Sequence, residues 1–146
     1  MRGLLIAGLA GIVACGGGPP APAALIPGVA CSSCRMVVSD PRLAAQIAAA
    51  GEEPRFFDDI GCLAEYLRRN AVTSDAAVYV ADHGSGGWVR AERALYSRDD
   101  AIATPMGSHT VAHADEGARA ADASVRSAAR LTVSDVFGAT LPGGQR

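Results

Sequence analysis

Three cysteines, Cys31, Cys34 and Cys62, constrain this chain more than any other feature. A fourth, Cys15, closes an apolar N-terminal run that reads as an export leader, which places the remaining three in an oxidising compartment. An odd number of thiols allows at most one disulfide within the chain and leaves at least one sulfur free or bound to metal. The stretch that remains to fold is short, about 110 residues, enough for one small domain or two very small lobes. Hydrophobic residues make up 49% of the chain, but alanine and the leader inflate that figure and aromatics are only 5%. A thin core of this size commonly leans on a metal or a disulfide. The formal net charge of -2 leaves no basic footprint, so nucleic acid is not expected as a partner.

The leader has one positive charge at Arg2, a small or apolar run from Gly3 to Ala14, and then Cys15. At roughly a dozen residues the run is too short to span a bilayer, which takes ~20. Ile12-Val13-Ala14-Cys15 resembles the bacterial lipobox, which implies a palmitate-type acyl anchor on Cys15 after removal of residues 1–14. Acyl chains contribute roughly 0.8 kcal/mol per buried methylene, so several of them hold a small domain on a membrane. Gly16 follows the cysteine, and by similarity to lipoprotein sorting this favours a periplasm-facing place in the cell envelope, on the outer membrane of an organism that has one. Residues 15–27, rich in Gly and Pro, read as a flexible tether, 28–139 as the folded domain and 140–146 as a tail.

Within 28–139, Arg35-Met36-Val37-Val38 predicts a short strand leaving the Cys31-Ser32-Ser33-Cys34 turn. Asp40-Pro41 opens a helix or turn around 42–48, and Pro54 to Phe57 reads as a strand. Ile60 to Arg69 is an amphipathic helix, with Asp58 or Asp59 as N-cap rather than as a carboxylate pair for acid–base work. Ala76 to Ala81 and Trp88-Val89 are strands joined by a Gly-rich turn, beside which His83 reads as a turn residue. In the second half, Thr104-Pro105-Met106-Gly107-Ser108 leads into Thr110 to His113, then an alanine-rich helix over 116–128, a strand over Leu131-Thr132-Val133 and a last short helix. The halves, divided near residue 80, repeat one strand–helix grammar, with Met36 and Met106 at matching places.

Cys34 and Met36, two apart on a predicted strand, share a face. A thiolate beside a thioether is a soft donor pair, and soft sulfur selects Cu(I) over oxygen-loving cations. Packing of the halves about a pseudo-twofold would bring Met106 to the same place, with His109 as an auxiliary ligand or neighbour. His109 and His113 align only if their stretch is helical. The Cys31–Cys34 pair also has a thiol–disulfide reading, disfavoured because a strand and not a helix follows it. With Cys62 it has a structural zinc reading that lacks a fourth ligand, and a Cys31–Cys62 disulfide is a further alternative. No phosphate loop, nucleophile elbow or triad order is present, so no enzyme is expected.

Taken in order, the lipobox, the tether, Cys31-Ser32-Ser33-Cys34-Arg35-Met36, Ala44-Ala45-Gln46-Ile47 as a helix, Phe57-Asp58-Asp59-Ile60-Gly61-Cys62 and Thr104-Pro105-Met106-Gly107-Ser108 resemble the NosL-type lipoproteins. The resemblance implies an α+β fold of two small ββαβ-like lobes, about 28–80 and 81–139. It also implies a chaperone that takes Cu(I) from donor proteins and passes it to acceptors in nitrous oxide reductase assembly, a step of denitrification. The family's metal-binding residues map onto Cys34, Met36 and Met106, while the roles of Cys31 and Cys62 stay open. Arg35 stands where that pattern commonly has Gly, and is expected to point away from the site across the strand.

Overall fold

The computed structural model describes residues 18–138 and 141–142. The leader, Cys15 and most of the tail lie outside the described residues. Seven strands and three helices follow in the order β1 (Ala45–Ala48), β2 (Arg55–Phe57), α1 (Ile60–Arg69), β3 (Ala77–Ala81), β4 (Trp88–Arg90), β5 (Leu95–Arg98), β6 (Thr110–His113), α2 (Glu116–Ala121), a 3-10 turn (Ala123–Val125), β7 (Ala129–Leu131) and α3 (Val133–Phe137). They form two antiparallel sheets, ordered β2-β1-β3-β4 and β6-β5-β7. In each half the first strand lies between the second and the third, with a helix between the second and third strands, so the α+β class of two ββαβ units holds.

The division expected near residue 80 falls inside β3. The first sheet continues to Arg90, where β4 pairs with β3 through Val80↔Val89, and β5, which the sequence reading missed, opens the second sheet. The sheets are not independent. Ile47, Phe57, Leu63, Val78 and Val80 from the first share one buried cluster with Tyr96, Ala112 and Phe137 from the second. Two edge-on ring contacts sit in it, Phe57 on Tyr66 at 5.2 Å and Tyr96 on Phe137 at 5.7 Å. A parallel bridge, Asp82↔Ala112, joins the sheets directly.

Several local expectations are corrected. Residues 44–47 lie in a strand and its entry, not in a helix. Alanine favours helix, but β1 is the inner strand of its sheet and is buried on both faces, so pairing overrides propensity. Its one amide, on Gln46, is satisfied by Ala23, accepting from the Ala23 N–H at 2.8 Å and donating to the Ala23 carbonyl at 3.0 Å. The Tyr79 hydroxyl donates to the Pro20 carbonyl at 2.6 Å. The supposed free tether is therefore laid against the sheet from Pro20 onward. Arg35 to Val38 is not a strand; it makes a single bridge, Ala30↔Val37. The helix expected over 116–128 stops at Ala121, because the Asp122 side chain caps the following turn through Ser124 N–H. β7 ends at Leu131, since Thr132 and Asp135 form a reciprocal capping box that starts α3 at Val133.

Candidate metal centre

The Cys31–Met36 segment is a tight loop. Cys31 N–H donates to the Met36 carbonyl at 2.7 Å, Arg35 N–H to the Cys31 carbonyl at 3.0 Å, and Ser32 N–H to the Phe56 carbonyl on β2 at 2.8 Å. Arg35 takes a left-handed backbone, φ 69°, a conformation natural to glycine and costly for an L residue that carries a Cβ. The chain thus turns between Cys34 and Met36. The common strand face expected for the pair, and the opposite-face placement of Arg35, are replaced by this turn.

Cys62 arrives from the other side, on the first turn of α1. Asp59 is the N-cap, accepting from Gly61 N–H at 2.6 Å, and the apolar residues Ile60 and Leu63 bury that end of the helix. The result is a sulfur cluster: the Sγ atoms of Cys31, Cys34 and Cys62 all lie within 4.8 Å of one another. All three cysteines are free thiols, so the Cys31–Cys62 disulfide alternative is not formed. Cys31 and Cys62 are buried and Cys34 is half-buried.

The thiols are not electrostatically equivalent. Burial alone would push the Cys31 thiol up, but the N–H groups of Cys34, Asp58 and Ser33, with the Cys34 side chain, outweigh burial and hold it below its ordinary value. The Cys34 N–H lies 3.5 Å from that sulfur. Cys62 moves the other way, driven well up by burial first and by neighbouring Cys31 second. Of these two, Cys31 is the one prepared to be a thiolate, the form in which sulfur binds metal.

Met106 reaches this region through its backbone. The Thr104–Ser108 turn closes through Gly107 N–H to the Thr104 carbonyl at 3.1 Å, with Gly107 at φ 69°. Met106 N–H donates to Asp59 Oδ2 at 3.0 Å, so one carboxylate, 1% exposed, caps the Cys62 helix and docks the Met106 turn. The approach is close enough that a Cβ on Gly61 would lie 2.8 Å from Ser108 Cβ. The side chains of Met36 and Met106 remain 54% and 48% exposed. Both methionines are therefore exposed residues held on turns bonded to the cysteine-bearing segments. His109 is outside the trio. Its Nδ1 sits 2.8 Å from the Ile102 carbonyl. A carbonyl can only accept, so Nδ1 is the donor in this contact.

A family model named NosL matches residues 22–130. The chain belongs to the NosL family. The match covers both sheets almost whole and includes Cys31, Cys34, Met36, Cys62 and Met106. No curated protein and no solved structure matches the chain. Membership of NosL, together with the three-sulfur cluster, supports a copper-binding accessory role and not a known enzymatic one. Among the described residues no helix is long and apolar enough to cross a membrane.

A second cluster was not anticipated. His83, His113 and Asp122 bring their ligating atoms within 4.8 Å of one another. The sequence reading placed His83 in a turn, where it is, and treated Asp122 as mid-helix. The residues lie far apart in sequence, and only the Asp82↔Ala112 bridge makes His83 and His113 neighbours. Each histidine directly follows a partner of that bridge, a relation the sequence alone does not display.

Proposed function

We propose that this NosL-family chain captures Cu(I) at its sulfur centre and delivers it, from a lipid anchor on Cys15 in the cell envelope, for maturation of nitrous oxide reductase. The observation that carries the reading is three thiols within 4.8 Å of one another, with two solvent-exposed methionines on turns tied to the same segments. Thioether sulfur binds soft Cu(I) without losing a proton and cannot be lost to disulfide formation. Met36 and Met106 are the ligands a docking partner reaches first, Cys34 the half-buried thiol beside them, and Cys31 and Cys62 the sulfurs beneath. Transfer proceeds by ligand exchange: each new bond from the acceptor's sulfur replaces one from this chain, so the ion is never free.

Two of the three sulfurs are buried, which also suits a structural zinc ion. Anaerobic titration of the full chain with Cu(I) against a competing chelator, followed by elemental analysis, separates the readings. About one Cu(I) per chain is expected, with binding weakened in Cys34→Ser and in Met106→Ala. Equal binding by wild type and both variants, or zinc that Cu(I) does not displace, would sink the copper assignment. The anchor has its own test, incorporation of labelled palmitate that is abolished in Cys15→Ser. The client is tested by the copper content of nitrous oxide reductase purified from cells lacking this chain.

A further inference from the structure

The structure assigns a second metal site to this chain: His83, His113 and Asp122 form a three-ligand centre for a borderline divalent cation of the Zn²⁺ class, separate from the sulfur cluster. The geometry carries it. Asp122 Oδ2 lies 2.6 Å from His83 Nδ1 and 3.0 Å from His113 Nε2. One carboxylate oxygen and two imidazole nitrogens thus converge on a single point, the rings meeting nearly edge to face at 86°. Two imidazoles and a carboxylate with an open fourth position are a donor set that Zn²⁺ accepts and Cu(I) does not prefer.

The three side chains are held in place by contacts outside the cluster. The Asp122 Oδ1 oxygen accepts from Ser124 N–H at 2.9 Å and from Ser124 Oγ at 2.6 Å, which leaves Oδ2 for the histidines. His83 is fixed by its own N–H donating to the Ala112 carbonyl at 2.8 Å, one residue before His113. Asp82, 3% exposed, locks the same corner, accepting from Ser85 N–H on one oxygen and from Ala114 N–H on the other, both at 2.8 Å. His113 is fully buried, while the side chains of His83 and Asp122 are 18% and 13% exposed and give an ion a way in. The His113 Nδ1 has no partner among the described residues. No group behind the ring fixes its tautomer, so Nε2 can turn from N–H donor toward Asp122 into metal ligand.

The test uses the full chain and Zn²⁺ alone, read through the imidazole nitrogen resonances. The chain has only three histidines, so all are resolvable. Zn²⁺ is expected to move His83 and His113 together and leave His109 unmoved. His83→Gln removes one ligand from a partly exposed ring. Asp122→Asn keeps a side chain that ranks with Asp as a cap, so folding is preserved while the charged ligand is lost. Each is expected to weaken the Zn²⁺-dependent shift of His113 by on the order of 100-fold, the upper end of what disturbing a ligand's surroundings costs. Co²⁺ bound there should show no thiolate charge-transfer band. Histidine resonances that ignore excess Zn²⁺, or variants that bind as well as wild type, overturn the site and leave a hydrogen-bonded His–Asp–His contact.

Discussion

The sulfur centre and the imidazole centre are built on the same plan with opposite donors. Each lies where the two ββαβ units meet, and each is stitched by one buried aspartate from the first unit. Asp59 gives one oxygen to Gly61 N–H in its own helix and the other to Met106 N–H across the seam. Asp82 gives one oxygen to Ser85 N–H in its own turn and the other to Ala114 N–H across it. The difference lies in what the stitched loops present. At Asp59 they present exposed methionines on turns, suited to passing a soft ion on. At Asp82 they present rings already engaged with a carboxylate, suited to holding a harder ion still. On the functions proposed above, one seam would accommodate a delivery site and a retention site, and the donor atoms would decide which is which.

The largest effect expected to break the comparison is at Cys34. Cys34→Ser should lower Cu(I) affinity by at least about 100-fold, roughly 2.7 kcal/mol, while leaving the Zn²⁺ response of His83 and His113 unchanged. Loss of both together would mean one coupled site. Next comes the packing at each seam. Gly61→Ala places a methyl 2.8 Å from Ser108 Cβ, overpacking expected to cost about 1–3 kcal/mol in chemical denaturation. Gly84→Ala, whose Cβ would meet Asp82 Oδ1 at an ordinary 3.4 Å, should cost clearly less.

Asp59→Asn separates capping from docking. An amide still caps the helix, but the Met106 N–H loses its charged acceptor. Cu(I) affinity should fall by about tenfold, consistent with roughly 1–3 kcal/mol for an unsatisfied donor, with helix content by circular dichroism unchanged. At Asp82, burial raises the carboxyl, but the N–H groups of Ala114 and Ser85 and the Ser85 hydroxyl outweigh it and hold it below 3.8. Its folded value is thus lower than its unfolded one. The stability it contributes is full above the unfolded value and is lost as pH falls through the lower folded value. Asp82→Asn should be less stable at neutral pH and lose less on acidification, measured as midpoint against pH. The smallest effect is Arg35→Gly, which relieves a left-handed backbone at φ 69° and should stabilise by about 1 kcal/mol or less.

Much of this was legible beforehand where a local rule had no competitor. The helix from Ile60 with its Asp59 cap and the β3–β4 hairpin rest on periodicity and turn chemistry that packing did not overrule, and the two-unit α+β plan follows what the family resemblance implies. Ala45–Ala48 was misread because alanine's helical preference is weak beside the pairing of an inner strand buried on both faces. The loop at Arg35 was misread because apolar Met36-Val37-Val38 looks like a strand, whereas a left-handed residue just before it turns the chain. Of the candidate metal ligands, Cys31, Cys34 and Cys62 were visible as a ligand set lacking a fourth donor, but the choice between that set and a Cys31–Cys62 disulfide was not, since it depends on how α1 brings the third sulfur to the loop. The His83–His113–Asp122 cluster was hidden: β4, β5, β6 and α2 lie between His83 and Asp122, and the Asp82↔Ala112 bridge brings the two histidines together.

The hydrogen bond from Tyr79 to the Pro20 carbonyl shortens the reach of the molecule. If Cys15 carries the proposed lipid, only four residues lie between the anchor and Pro20, a span from Cys15 to Pro20 of at most about 18 Å. A domain on so short a lead would not sweep a wide volume in search of an acceptor. Under the proposed anchoring it would ride close to the bilayer within a restricted range of orientations, encounter would become a search in two dimensions, and an acceptor would present its own site near the membrane surface.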